Sequence, residues 1–257
     1  MNNFRMRLMA MGAFLALTGI LLAGESGNLH DRYDALLKKY VKGESFDYQG
    51  LFGNKADLEA LHRYVDQLAG QQPSQMSREA ALAFWINLYN AGTLRLVLDH
   101  YPVESIKDIG GLLSSPWNKK IVTVEGEELT LNQIENEVIR PQFGDARIHF
   151  ALNCASIGCP PLAAEAFTAE KLDQQLTRVT RQALGKPRWV EISSGEIRLT
   201  KIFDWYKSDF EASAGSVRQF IAVYLPDQKE ALLDESRKLT FGDYDWRLNK
   251  RSPYPPD

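Results

Sequence analysis

Two sulfurs, an imidazole, a guanidinium and an amide fall within the sixteen residues Arg147–Leu162 (RIHFALNCASIGCPPL), the densest chemistry in the chain. Cys154 and Cys159 are the chain's two cysteines, and His149 is one of four histidines. Several arrangements compete for this segment. In a disulfide, Gly158 supplies the turn and Pro160-Pro161 stiffens the exit, and a loop of this length can bring two Cα atoms to the roughly 5.5 Å a bridge requires. In a catalytic site, one thiol is the nucleophile, His149 its base, and Asn87 or Asn153 orients the ring, since Cys–His–Asn is a known catalytic set whose members meet through the fold. In a metal site, both cysteines and His149 supply three ligands and Glu135 a fourth, but four residues between the cysteines lie at the edge of zinc spacing, and no metal is expected. Two buried, unpaired thiols complete the alternatives. A Cys-x-x-Cys redox motif is absent.

A second segment, Phe84–Ala91, puts three aromatics and two amides on one helix. Asn87 and Asn90 are three apart and so share a face. Asparagine is a poor interior helix residue because its amide competes for backbone hydrogen bonds, so both need partners, either neighbouring loops or a polar ligand. On the Leu131–Arg140 stretch, Glu135 shares a face with Asn132 and is expected to turn inward and pair with Arg147. Trp85, Asn87, Asn90, Glu135, Arg147, His149 and Asn153 form the expected ligand-binding set, and Cys154, Cys159, His149 and Asn87 the expected catalytic one. Ile202–Tyr206 and Tyr244–Asn249 surround aspartates with aromatics, a pattern that ordinarily means packing. No phosphate-binding glycine loop, G-x-S-x-G or H-E-x-x-H is present.

These residues must be positioned by the elements around them. Apolar side chains at spacings of three and four predict amphipathic helices over Leu29–Val41, Lys55–Leu68 and Ala169–Leu184, and Ser77–His100 reads as a further helix. Leu131–Arg140, Phe203–Phe210, Ser216–Tyr224 and Lys229–Leu233 also read as helices. Glu125-Gly126-Glu127 and Ser193-Ser194-Gly195 each divide two short extended runs, predicting two β-hairpins. Arg147–Asn153 alternates as a buried strand or a helix end would. The fold class is therefore α+β: a helix-rich single domain over residues 27–251, with two small hairpins or a small antiparallel sheet and a short disordered tail over 252–257.

Arg5 and Arg7 precede an uncharged, mostly apolar run from Leu8 to Ala23 that stops at Gly24, Glu25 and Ser26. Positive head, apolar middle and small-residue end predict a signal peptide over 1–26, and hence a periplasmic or secreted protein. The run is short for a bilayer core, which needs about 20 residues, so no membrane span is expected after signal removal. The remainder carries 28 Lys plus Arg against 32 Asp plus Glu. That mildly acidic, mixed balance argues against nucleic acid, which needs a basic stripe. Export also implies an oxidising compartment, which favours pairing of the two cysteines.

Four strings, AFWINLYNA (83–91), RIHFALNCASIGCPPL (147–162), LTKIFDWYKSDF (199–210) and YDWRLN (244–249), resemble those of the family called domain of unknown function 547. The resemblance runs from about Leu29 to Asn249. It implies a bacterial exported protein, plant relatives carrying the domain behind a coiled coil, and no agreed reaction. The pattern coincides at Trp85, Asn87, Tyr89, Asn90, Glu135, Arg147, His149, Cys154, Cys159 and Pro160. Two functions remain open: an exported module that binds a small molecule or an envelope protein beside a Cys154–Cys159 disulfide loop, or a cysteine-dependent hydrolase or acyltransferase with His149 as base. No cofactor is expected for either.

Overall fold

A computed structural model describes residues 28–111 and 114–251. The expected signal peptide and the expected tail lie outside these residues. Helix α1 (Asp31–Tyr40) buries Tyr33, Leu36, Leu37 and Tyr40, the stripe its spacing predicts. A two-residue pair, β1 (Val41–Lys42) with β2 (Ser45–Phe46), leads to α2 (Tyr48–Gly53) and α3 (Lys55–Ala69).

The organising element is α4 (Arg78–Leu98), where every residue from Ala81 to Leu94 is buried. A helix apolar on all sides belongs at the centre of a core. The Ser77 side chain caps it by accepting the Ala80 N–H at 3.2 Å. Strands β3 (Lys120–Val124) and β4 (Glu127–Thr130) form the first expected hairpin. Its turn residues Glu125 and Gly126 both have positive φ, 49° and 86°, the combination that matches strand twist in a two-residue turn.

The predicted Leu131–Arg140 helix is present but irregular. Short α5 (Leu131–Gln133), a π-helical turn (Ile134–Ile139) and α6 (Arg140–Phe143) run on one from another. Arg147–Asn153, expected as strand or helix end, is a 3₁₀ turn over Ala146–Phe150 followed by loop. Helix α7 (Leu172–Leu184) follows, then β5 (Val190–Ile192) and β6 (Glu196–Leu199) as the second hairpin. The predicted helix over 203–210 is broken at Tyr206 into α8 (Ile202–Trp205) and α9 (Lys207–Ala214). Helices α10 (Val217–Tyr224) and α11 (Lys229–Leu233) complete a crossover to β7 (Lys238–Phe241). That strand pairs parallel to β6, making a mixed three-stranded sheet from the expected hairpin.

The helix-rich α+β class therefore holds, and the buried apolar residues form one continuous core from Tyr33 to Leu248. No helix among the described residues is long and apolar enough to cross a membrane.

Candidate functional site

The cysteine loop is built by backbone pairing across a long sequence interval. The Ile157 and Gly158 N–H groups donate to Arg247 and Asp245 carbonyls, both at 2.8 Å, and Asn249 N–H donates to Ala155 C=O at 3.1 Å. Gly158 is required by this approach: a Cβ there would stand 2.9 Å from both the Asp245 nitrogen and the Tyr244 ring. Ala155 adopts a left-handed φ of 62°, a strain of about 1–3 kcal/mol. It is held there because its N–H donates to Asn153 Oδ1 at 3.0 Å while its carbonyl is taken by Asn249.

The expected Cys154–Cys159 disulfide is not formed; both thiols are free. Each sulfur is engaged otherwise. Cys159 Sγ accepts the Cys154 N–H at 2.9 Å and lies 3.5 Å from the Leu152 carbonyl. Cys154 Sγ lies 3.1 Å from both the Ser156 and Tyr244 hydroxyls. The neighbouring Cys159 thiol, then the Ser156 and Tyr244 hydroxyls, stabilise the Cys154 thiolate against burial and lower its pKa to about 7. Cys159, fully enclosed, is pushed well up, first by burial and then by its neighbour. The two sulfurs are thus chemically unlike.

His149 does not hydrogen-bond to either sulfur. Its Nε2 lies 2.8 Å from Asp209 Oδ2, and its ring stacks on Tyr206 at 3.9 Å between centroids. Asp209 also receives two bonds from Arg140, from Nε at 2.7 Å and Nη2 at 2.8 Å. Burial opposes ionisation of Asp209, but the His149 and Arg140 donors outweigh it and hold its pKa far below the usual carboxylate range. The Tyr206 hydroxyl donates to Glu135 Oε1 at 2.6 Å. Burial, aided by the adjacent Glu135 carboxylate, keeps that phenol protonated far above its ordinary pKa.

A cavity of about 370 Å³ opens over these groups. Cys154, Cys159, His149 and Glu135 line it, with Trp117, Trp205, Trp246, Tyr206 and Tyr244 as an aromatic wall. Such a volume suits a small molecule, and apolar walls with a few convergent polar groups are the usual form of a ligand pocket.

Of the residues expected at the site, Glu135, His149, Cys154 and Cys159 come together here. The others do not. Asn87 exchanges two bonds with the Phe167 backbone, donating to its carbonyl at 2.8 Å and accepting its N–H at 3.0 Å. Asn90 donates to Ala151 C=O at 2.9 Å and accepts from Asn153 N–H at 2.8 Å. Asn153 donates to Pro160 C=O at 2.7 Å. These amides tie loops to α4 because their bonds are consumed by buried backbone. Trp85 packs edge-on against Phe84 in the core, outside the cavity lining. Arg147 faces a separate surface, where Asp145 and Asp173 pair with it; Glu135, its expected partner, is bonded to Tyr206 instead. No group of three or more His, Cys, Asp or Glu among the described residues is arranged to hold a metal ion.

Several lining and supporting residues were not singled out from the sequence. Arg140 carries no local signal, and Asp209 only its place in the 199–210 string. Trp205, Tyr206, Tyr244 and Trp246 belong to the two aromatic strings read as packing, and the density of rings around each aspartate was the available hint.

Residues 73–183 match the family model described as "Protein of unknown function, DUF547". This interval holds both cysteines, His149 and Glu135, whereas Trp205, Tyr206, Asp209, Tyr244 and Trp246 lie beyond it. No curated protein and no solved structure matches the chain.

Proposed function

Residues 73–183 belong to a family whose title supplies no reaction, and we propose from the cavity itself that this chain is a thiol-dependent acyltransferase or hydrolase with Cys154 as nucleophile. One observation carries the reading: a partly accessible thiol, its pKa lowered to about 7, forms part of the lining of a small-molecule cavity. The thiolate is the attacking species in such chemistry, and a free cysteine at neutral pH supplies only a few per cent of it. The sulfur attacks a carbonyl carbon, the leaving group departs with a proton, and water or an acceptor then releases the acyl group. His149, held by Asp209, is the lining group suited to exchanging that proton. The Ser156 and Tyr244 hydroxyls hold the thiolate before attack.

Export to the periplasm or beyond is part of the same proposal, supported by the charged head and apolar run of residues 1–26. So is a single domain over residues 27–251, supported by the continuous core.

The experiment is alkylation of the folded protein by iodoacetamide across pH, with mass mapping of each cysteine. Cys154 is expected to react with a half-maximal rate near pH 7 while Cys159 stays protected. Reaction only above about pH 8.5, the free-thiol value, contradicts the proposal. Thiol counting on denatured, unreduced protein separates it from the disulfide-locked module: two free thiols support the enzyme, and none supports the module.

A further inference from the structure

We infer that the cavity selects substrates bearing a cationic group, an ammonium or quaternary ammonium, seated between Glu135 and the tryptophan wall. The inference rests on the reading of this cavity as the reaction site and names the substrate class for it.

Charge is the first argument. Glu135 is only 9% exposed, yet no Lys, Arg or His nitrogen among the described residues lies within ion-pair distance of its carboxylate. Oε1 accepts from Tyr206, and Oε2 has no protein donor among them. The nearby cation, Arg140, is committed to both oxygens of Asp209 and to Asn136 Oδ1 at 2.7 Å. His149 is bonded to the same aspartate. Among the described residues, the cavity lining includes no lysine or arginine. Arg140 acts on Glu135 only through space, and a carboxylate held in so enclosed a place is costly without a paired counter-charge, which a bound cation supplies.

The wall is the second argument, independent of the first. Trp117 and Trp246 meet edge to face at 5.5 Å, Tyr244 and Trp246 lie at 4.5 Å, and Trp205 contacts Tyr244 at 4.8 Å. Trp205 remains 44% exposed, so a large ring stays open to solvent at this cluster. Ring faces carry negative potential and attract cations, tryptophan most strongly. This cluster already does so: Lys107 Nζ sits 3.7 Å from the Trp246 ring centroid. Aromatic faces next to a carboxylate are the chemical pattern that recognises quaternary ammonium groups.

The test compares three methanethiosulfonates that differ only in the group they carry: 2-(trimethylammonio)ethyl, 2-hydroxyethyl and 2-sulfonatoethyl. In each reaction the thiolate attacks the divalent sulfur of the thiosulfonate, forming a mixed disulfide as the S–SO2 bond breaks and methanesulfinate leaves, so no external oxidant is needed. Rates at Cys154 are divided by those of a small free thiol. The cationic reagent is expected to exceed the neutral one by about tenfold, the equivalent of about 1.4 kcal/mol, with the sulfonate slowest. In Glu135→Gln the preference should fall at least about fivefold, since only the charge is removed. Equal normalised rates, or a preference unchanged by Glu135→Gln, overturn the inference while leaving the reactive thiol intact. Failure of all three reagents instead overturns the proposed nucleophile. The cation site is then read without chemistry, by tryptophan fluorescence of Cys154→Ser titrated with benzyltrimethylammonium and its uncharged carbon analogue. Binding of the cation alone upholds the inference; equal or absent binding overturns it.

Discussion

The hydroxyl of Tyr244 lies 3.1 Å from the sulfur of Cys154, a residue 90 positions earlier in the chain. It also lies 2.9 Å from the Ser156 hydroxyl, which is itself 3.1 Å from the same sulfur. The three polar atoms form a closed triangle. Tyr244→Phe keeps the ring and its place in the wall but opens the triangle. The Cys154 pKa should rise by about one unit, which lowers the thiolate fraction at pH 7 roughly fivefold. The iodoacetamide rate at pH 7 measures this directly. A rate equal to the parent protein's would show that the phenol does not stabilise the thiolate.

Gly158 tests how the same segment, residues 244–249, is held. The added methyl of Gly158→Ala meets the Asp245 backbone nitrogen and the Tyr244 ring, so the 244–249 segment must move away. Overpacking of this kind costs about 1–3 kcal/mol. Both a lower unfolding midpoint in urea and a slower Cys154 alkylation are expected together, because one displacement causes both. Lost stability with unaltered alkylation would place the strain elsewhere.

Asn90→Ala removes the amide that serves the Ala151 carbonyl and the Asn153 N–H. Each buried backbone group left unpaired costs about 1–3 kcal/mol. A loss of roughly 3 kcal/mol in urea-measured stability is expected. Ligand or reagent selectivity should be far less affected, since this amide lies outside the cavity lining. A loss below about 0.5 kcal/mol, the surface-substitution range, would contradict the loop-tying role.

Asp209 sets an acid limit. Its folded pKa lies below that of an unfolded aspartate, near 3.9, because His149 and Arg140 both donate to it. The stability it contributes is therefore complete above pH 3.9 and is lost progressively as pH falls below that value. Asp209→Asn should reduce stability at pH 7 and flatten the decline below pH 4. Denaturation curves collected from pH 2 to pH 7 test this, and an acid limb of undiminished slope in the variant would assign the decline to other carboxylates.

What could be read from the sequence depended on distance along the chain. Helices α1, α3, α4, α7 and α10 are legible because their apolar spacing and caps are local. Ser77 and Ser216 each cap the helix that begins one residue later. The hairpin at Glu125-Gly126 is local in the same sense. The parallel pairing of β7 to β6 was not legible, since four helices separate the strands. The grouping of Glu135, His149 and the cysteines is only partly local. Its supports, Arg140 with Asp209 and Tyr244 with Cys154, are matched through space alone. Asn87 and Asn90 show a different limit. Their amides signal a need for partners, and the same signal precedes either a ligand or a loop.

The π-helical turn at Ile134–Ile139 gives this site a dependence on helical pitch. In an α-helix, at 3.6 residues per turn, positions five apart diverge by about 140° around the axis. Here the Arg140 N–H donates to the Glu135 carbonyl, so those positions stack, one turn above the other. Both side chains consequently reach Tyr206, Glu135 through its hydroxyl and Arg140 over its ring at 5.0 Å. A π-turn differs from ordinary helix by one inserted residue's worth of slack. Wound back to regular pitch at unchanged length, the helix would swing the acid and the guanidinium onto different faces, whereas excising a single residue from 136–139 would leave the pair four apart and on one face. The vulnerability here is to pitch: every side chain named in the chemistry stays in place in a turn rewound to 3.6 residues, and the alignment is still lost.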